Sequence, residues 1–147
     1  MREIDFTIRN AQADDASALA RLVTQLGYPS SEAQMTQRLH PFLGNSQYLT
    51  AVAEIQSSRI VGMIGCRIEA GYEFDGLQAR MLVLVIEESL RGKGIGSGLV
   101  ESAEWWARQQ GAHKMMVNTH HRRTQTHSFY QSCGFVSTGQ RFTKSLA

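Results

Sequence analysis

Cysteine, proline and long apolar runs are scarce in this chain of 147 residues. Two cysteines and two prolines exclude a disulfide-stapled secreted domain and a proline-rich or collagen-like segment. The thiols of Cys66 and Cys133 are far apart in the sequence, which favours a reducing compartment, so we expect a cytoplasmic location. The longest apolar stretch, residues 81–86, is too short to cross a bilayer, and the N-terminus carries charges where a signal peptide is apolar.

Net charge is also small, at +2, which is too little to indicate a nucleic-acid partner. Its distribution is uneven, because residues 1–75 carry a net −3 and residues 76–147 a net +5. A basic half suits a polyanionic ligand and an acidic half suits a cationic one. The alternative is that the two halves of the sequence are not two halves of the folded surface.

Apolar periodicity divides the chain into strands and helices in the order β-α-α-β-β-β-α-β-α-β. This order predicts an α/β fold (α+β with a mixed sheet) in which helices cover both faces. Strands are predicted over residues 6–9, 48–55, 60–68, 78–86, 113–119 and 135–142. Helices are predicted from a cap at Asp14 or Asp15 to Gly27, from a cap at Ser30 or Ser31 to the His40-Pro41 step, from the glycine turn to Gly111, and roughly over residues 124–132.

A glycine-rich turn joins the most apolar strand to an amphipathic helix. Glycines occupy alternate positions over residues 92–98, and Arg91 and Lys93 add positive charge. Backbone without Cβ atoms, together with the unpaired N–H groups of a helix start, suits a pyrophosphate. A dinucleotide fingerprint is excluded because no register has glycine at its sixth position, and a P-loop is excluded because Gly94 follows the lysine. A flexible hinge is the alternative.

Two short sequence patterns occur in the second half of the chain. The turn reads Arg-x-x-Gly-x-Gly from Arg91 to Gly96, and Tyr130 precedes Gly134-Phe135 as Tyr-x-x-x-Gly-Phe. With both patterns the chain resembles the GNAT superfamily of N-acetyltransferases, most clearly over residues 81–142. The resemblance implies a central mixed, mostly antiparallel sheet flanked by helices, and a single N-acetyltransferase domain over residues 1–147.

The resemblance also implies where acetyl-CoA, the cosubstrate, would bind. Its pantetheine arm would run along the apolar strand, and its pyrophosphate would lie on the glycine turn. Arg123 stands where relatives often have an asparagine that contacts the cofactor. The implied cofactor-binding residues are Val83, Leu84, Val85, Arg91, Gly92, Lys93, Gly94, Ile95, Gly96, Ser97 and Arg123.

Two residues are implied to be catalytic. Tyr130 would lie near the thioester sulfur and give its proton to the departing thiolate, and Asn118 stands where some relatives have a catalytic glutamate. Leu82 and Val83 replace an acidic residue often found in this strand, so the commonest candidates for the general base are missing. The N–H of Val85 is the expected donor to the oxyanion.

Three acidic residues precede the cofactor strand, near the expected entry of the acceptor. Glu69, Glu73 and Asp75 are predicted to attract a cationic amine, and an exposed acidic loop is the alternative. The histidines and cysteines lack the paired spacing of a zinc site, so no metal is expected.

The sequence therefore predicts an acetyl-CoA-dependent N-acetyltransferase that transfers acetyl directly to a primary amine of a small molecule or peptide. A non-catalytic acyl-CoA-binding or sensing module on the same fold is the alternative, favoured by the missing acidic base and disfavoured by Tyr130. A nucleic-acid-associated protein is a weaker alternative, because no recognisable binding motif supports it. No membrane partner is expected, and a homodimer is left open.

Overall fold

A computed structural model describes residues 4–118, 124–139 and 141–147 of the chain. The strands are β1 (Thr7–Asn10), β2 (Tyr48–Ile55), β3 (Arg59–Glu69), β4 (Leu77–Ile86) and β5 (Ala112–Val117). The helices are α1 (Ala16–Leu26), α2 (Glu32–Leu39), α3 (Ile95–Gln109) and α4 (Thr124–Ser132). Short 3-10 helices precede α1, join β2 to β3, and follow β4.

The strands form one five-stranded sheet in which their spatial order equals their order in the chain. Each pair from β1 to β4 is antiparallel, whereas β4 and β5 are parallel. A parallel pair needs a crossover between its strands, and α3 provides it. The sheet is therefore a meander that ends in one β-α-β unit.

Helices cover both faces of the sheet, because its inner strands carry apolar side chains on both sides. On one face, α1 and α2 pack against β2 to β4 through buried residues such as Leu22 and Met63. On the other, α3 and α4 pack against the same strands through residues such as Leu99 and Ile64. We call these two sides the α1/α2 face and the α3/α4 face.

Helix ends in the first half of the chain follow from local sequence. Gly27 ends α1 in a left-handed conformation, with φ of 116°, which costs glycine little. The Ser31 hydroxyl accepts a hydrogen bond from the Gln34 N–H at 3.1 Å, and the Gln34 side chain accepts from the Ser31 N–H at 2.9 Å. This reciprocal capping box begins α2 at the predicted place.

The predicted fold class is confirmed, with a mixed, mostly antiparallel sheet between two helical layers. The predicted closing strand is wrong, because residues 135–139 and 141–142 form no strand. Phe135 packs against the core, but Val136 and Phe142 are 80% and 87% exposed. Polar residues and a glycine separate these apolar side chains, so the segment has no continuous apolar face with which to join the sheet.

Both cysteines are free thiols. Burial raises the pKa of the Cys66 thiol to about 12, so this group stays protonated and unreactive at neutral pH. No helix in the described part of the chain is long and apolar enough to span a membrane.

Candidate active site

Strand β4 has neighbours on both sides in its first half and on one side in its second half. It pairs with β3 from Gln78 to Ile86, whereas its ladder with β5 ends where Met81 lies opposite Val117. Residues 82–86 have no partner on the β5 side among the described strands. We call this stretch the open edge of β4.

Antiparallel pairing decides which backbone groups reach the open edge. The Glu87 N–H donates to the Val61 carbonyl at 2.8 Å, so the alternation of the ladder directs the Val85 N–H to β3 as well. The N–H and C=O groups of Leu84 and Ile86 therefore face the open edge. The expectation that the Val85 N–H stabilises an oxyanion is wrong on this ladder, and the N–H of Leu84 lies on the correct side.

A bulge lies at the point where β5 leaves β4. The pairing passes from Val83 opposite Gly65 to Met81 opposite Cys66, which leaves Leu82 as the extra residue. Leu82 is 45% exposed although its neighbour Met81 is buried. Bulges bend a strand and re-aim its side chains, and this one begins the open edge.

The three strand residues predicted to lie beside a cofactor divide between the two faces. The side chains of Val83 and Val85 belong to the α1/α2 face, whereas Leu84 packs on the α3/α4 face. Backbone and side chain thus agree in placing Leu84 on the same face as α3 and at the open edge, while Val83 and Val85 hold the strand to β3.

The glycine turn follows the open edge after one short 3-10 helix, Glu88–Leu90. Gly92 and Gly94 have φ of 77° and 90°, values that disfavour any residue with a side chain. Gly94 caps α3 without a side-chain hydrogen bond, so the first N–H groups of this helix are not satisfied by a capping side chain. A Cβ on Gly92 would meet no atom within 4 Å, and Lys93 lies partly buried beside it. The turn is therefore an open, positively charged backbone surface at a helix N-terminus.

The next two glycines, Gly96 and Gly98, also have a packing role that the sequence analysis did not predict. A Cβ on Gly96 would lie 3.1 Å from the ring of Phe129 in α4. A Cβ on Gly98 would lie 2.8 Å from Phe6. These positions need glycine because aromatic rings pack on α3, so the alternating pattern combines two turn residues with two packing residues. The packing glycines bring α4 close to the helix start.

Tyr130 lies where β4 and β5 separate. Its side chain is buried, with 8% exposure, and its hydroxyl is 3.7 Å from the sulfur of Met81, the last β4 residue paired with β5. The rings of Phe129 and Phe135 pack edge-on against it with centroid distances of 5.4 and 5.5 Å. The phenol is thus fixed at the entrance of the open edge.

Asn118 follows β5 directly and is exposed. It lines a cavity of about 650 Å³ along β5 together with Tyr130, while neither the open edge nor the glycine turn lines that cavity. Asn118 therefore shares a cavity with Tyr130 but not with the turn. Arg123, predicted to contact the cofactor, lies outside the described residues.

The structure does not bring together the three carboxylates that were predicted to attract the acceptor amine. Glu73 and Asp75 are exposed in the loop before β4, at the end of that strand opposite to the glycine turn. Seven residues separate Leu77 from Leu84, which is about 23 Å along a strand. This placement gives no support to a role for either carboxylate near the open edge.

Glu69 is bound by its neighbours rather than open to a cation. Its carboxylate accepts hydrogen bonds from the guanidinium groups of Arg67 and Arg80 and from the Gln78 amide. The bond from Arg80, against the cost of burial and with help from Gln78 and Arg67, lowers the Glu69 pKa to about 2. A carboxylate already neutralised by arginine is a poor site for an ammonium group.

Glu87 is a site-supporting residue that the sequence analysis missed. It is 5% exposed, and one carboxylate oxygen accepts from Arg21 and Arg59 at 2.6 Å each. Burial alone would raise its pKa, but these two arginines outweigh burial and lower it. Glu87 thereby ties the end of β4 and the start of the turn to α1 and β3. No sequence pattern indicates this, because both partners are distant in the chain.

Comparisons with known proteins agree with this geometry. A sequence model of the acetyltransferase (GNAT) family matches residues 16–135. The chain is 33% identical over 92 residues to an aminoalkylphosphonate N-acetyltransferase of Salmonella typhimurium, covering 63% of this chain and 60% of that protein. It is 24% identical over 136 residues to an aminoglycoside N(6')-acetyltransferase of Stenotrophomonas maltophilia, covering 90% and 87%.

Among solved structures, a GNAT family acetyltransferase from Staphylococcus aureus superposes with a TM-score of 0.81 at 25% identity. The match covers 97% of this chain and all of that chain. Fold and sequence therefore lead to the same group of proteins.

Proposed function

The chain belongs to the acetyltransferase (GNAT) family, and from this membership we propose that it transfers the acetyl group of acetyl-CoA directly to a primary amine of a small molecule or peptide. Two of the N-acetyltransferases to which it is similar are named for amine-bearing small molecules, which supports a small amine as acceptor. The proposal takes residues 1–147 as a single N-acetyltransferase domain in a reducing cytoplasm, in keeping with two free thiols.

One observation carries the proposal: the open edge of β4 leads from the Tyr130 hydroxyl towards the glycine turn, with only the short 3-10 helix Glu88–Leu90 between them. An extended ligand can use the edge as a further strand would, through backbone hydrogen bonds, and place its phosphates on the turn. Acetyl-CoA has this shape and supplies the activated acetyl thioester.

The residues present fit such a ligand. Leu84 offers its N–H and C=O groups and Ile86 its N–H group along the edge. The Ile86 carbonyl accepts a hydrogen bond from Arg91 Nε at 3.4 Å, which places the Arg91 side chain at the end of the edge. Gly92 leaves open space above the turn, and the first N–H groups of α3 lack a side-chain cap. We assign the pyrophosphate to the turn formed by Arg91, Gly92, Lys93, Gly94, Ile95, Gly96 and Ser97.

The proposed chemistry needs two groups of this chain at the reacting atoms. The Leu84 N–H can donate to a carbonyl oxygen that gains negative charge during attack by the amine. The Tyr130 hydroxyl can give its proton to a departing thiolate, since the reference pKa of a phenol, about 10, lies near that of a thiol, about 8.5. Asn118 cannot accept a proton at neutral pH, but its amide can hold the amine or a water through hydrogen bonds.

Release of free thiol from acetyl-CoA over a panel of amines tests the proposal. We expect turnover with at least one small amine and its loss in Tyr130→Phe. Calorimetry with coenzyme A separates the main alternative: tight binding without turnover on any amine would indicate a sensing module on this fold. The absence of both binding and turnover would contradict the proposal altogether.

A further inference from the structure

A row of side chains crosses the α1/α2 face beside the start of the open edge. In the strand pairing Tyr48 lies opposite Arg67, Arg67 opposite Arg80, and Arg80 opposite Met116. Residues that pair across strands share a face, so the four side chains form one line over β2, β3, β4 and β5. Two arginines stand at the centre of this line.

Like charges directly opposite each other in a sheet are destabilising unless an anion lies between them. Here one carboxylate serves both guanidinium groups: Glu69 accepts from Arg67 Nε at 3.1 Å and from Arg80 Nη2 at 3.0 Å. The group of three carries a net positive charge, because two arginines share one glutamate. It can therefore accept a second anion.

Both arginines keep donors for such an anion. Their side chains are 43% and 24% exposed, and Glu69 is their only hydrogen-bonded acceptor among the described residues. A guanidinium has five N–H donors, so one carboxylate leaves several unused on each side chain. A planar fork of this kind suits phosphate, phosphonate and carboxylate groups.

The arginines lie beside the reacting point but on the opposite face from Tyr130. Arg80 immediately precedes Met81, which contacts the Tyr130 hydroxyl, and successive side chains of a strand point to opposite faces. The ladder between β4 and β5 ends at Met81, so no described strand separates the two faces beside residues 82–86, and we take this opening as the gap between β4 and β5. From Arg80 to Leu82 or Leu84 is two to four residues, or about 7 to 13 Å along the strand. A small molecule spans that distance.

We propose that the acceptor amine carries an anionic group, which Arg67 and Arg80 bind on the α1/α2 face while the amine enters the gap between β4 and β5. This rests on the proposed function, because the gap is a reacting point only if acetyl-CoA occupies the open edge. It replaces the expectation that Glu69 attracts a cationic amine: Glu69 instead orients the two arginines, and its charge competes with that of the ligand.

Binding tests the anion site independently of catalysis. Methylphosphonate is titrated into protein saturated with coenzyme A, so that the glycine turn is already occupied, and the Nε–H signals of arginine are followed by NMR. We expect the signals of Arg67 and Arg80 to shift, and the dissociation constant to rise about tenfold in Arg67→Gln, the loss typical of a charge-assisted hydrogen bond. Arg108→Gln, an exposed arginine of α3, is the control and should bind as the wild type does.

Kinetics with matched amines tests the orientation of the substrate. O-phosphoethanolamine and β-alanine carry an anion, whereas ethanolamine is a neutral-ended amine of similar length. We expect kcat/KM to favour an anionic amine by tenfold or more, and Arg67→Gln to remove that preference through KM. The two anionic arms show whether phosphate or carboxylate is preferred.

The variant Glu69→Gln distinguishes the two possible roles of Glu69 by the direction in which KM changes. Glutamine keeps an amide oxygen that can orient the arginines and lacks the competing charge, so this variant should lower KM for the anionic amine several-fold, whereas loss of a cation-binding Glu69 would raise KM for every amine. Unchanged methylphosphonate affinity in Arg67→Gln, or equal use of ethanolamine by the wild type, would overturn the anion site. Absence of turnover with all amines would contradict the proposed function, and the methylphosphonate titration would still decide this inference.

Discussion

The two halves of β4 differ in sequence and in surroundings, because residues 77–81 include Gln78 and Arg80 whereas residues 82–86 are all aliphatic. Residues 77–81 pair with strands on both sides, so their backbone groups are used within the sheet. Residues 82–86 pair on one side, and the groups of Leu84 and Ile86 on the other side face the open edge. A parallel strand that stops at Val117 creates this difference, together with a bulge at Leu82.

The comparison teaches that a binding surface can be made by withholding a neighbour rather than by adding polar side chains. Every residue over 81–86 is apolar, yet the second half of β4 offers hydrogen-bonding groups in a defined row. The glycine turn and Tyr130 lie at the two ends of that row.

The largest effect is expected at the boundary of the halves. Tyr130→Phe keeps the ring contacts with Phe129 and Phe135 and removes only the hydroxyl beside Met81. Loss of a general acid typically lowers turnover by about 10²–10⁴-fold. We expect a kcat decrease in that range in the thiol-release assay, with unchanged affinity for coenzyme A. Tyr28→Phe, on an exposed tyrosine, is the control, and full activity of the Tyr130 variant would make that residue a packing residue.

Removal of one backbone N–H group at a time, at Leu84 or at Val85, distinguishes the open side of β4 from the side that pairs with β3. An ester bond in place of the Leu84 amide should fold normally and lower kcat by about 10²–10³-fold, the effect of losing an oxyanion donor. The same change at Val85 removes a ladder bond to β3, so it should lower the unfolding temperature instead. Rapid-quench kinetics and thermal unfolding measure the two effects. The reverse assignment would mean that the register between β3 and β4 is different.

The turn that follows the open half is tested by two matched glycines. Gly92 and Gly111 both have positive φ, 77° and 87°, and a Cβ on either would meet no atom within 4 Å. Valine should therefore strain both positions alike, but only Gly92→Val should lose stabilisation by coenzyme A. The wild type should gain about 2.7 kcal/mol at a hundred times the dissociation constant. An equal response in both variants would remove the turn from the binding site.

The smallest effect is expected for Glu69, which lies on β3 opposite Gln78 in the fully paired half of β4. The Glu69 pKa is lowered to about 2, chiefly by Arg80, so the carboxylate stabilises the fold fully above its ordinary pKa of about 4.5. That contribution, about 1–2 kcal/mol after allowance for solvent, is lost as the pH falls from 4.5 towards 2. Denaturant unfolding at pH 6, 4 and 3 should show this loss in the wild type and a flatter profile in Glu69→Gln. The control Glu73→Gln, on the exposed loop, should keep the wild-type profile.

Much of the fold was predictable, because apolar periodicity and capping residues act locally. Ser31 and Gly27 mark helix ends, and the apolar run of β4 indicates a strand buried on both faces. The prediction of a closing strand was wrong because the alternation of apolar and polar residues over 135–142 is too short to define a buried face. An apolar residue pattern reports what the side chains prefer, but not whether a neighbouring strand is present.

The sequence predicted only those parts of the site that lie within one continuous segment of the chain. The glycine turn and Tyr130 each belong to a short sequence pattern. The open edge, in contrast, depends on where β5 ends. The ladder with β3 decides that Leu84, and not Val85, faces the gap. Likewise Glu69 looked like a free acid in the sequence, because its arginine partners become neighbours only through strand register.

Site-resolved amide hydrogen exchange tests the difference between the halves most directly. In the protein without coenzyme A, we predict slow exchange for the N–H groups of Val83 and Val85, which β3 protects, and faster exchange for Leu84 and Ile86. Addition of coenzyme A should slow exchange at Leu84 and Ile86 and leave the valines unchanged. Equal protection of all four groups before addition, or protection gained at the valines alone, would contradict the open edge of β4.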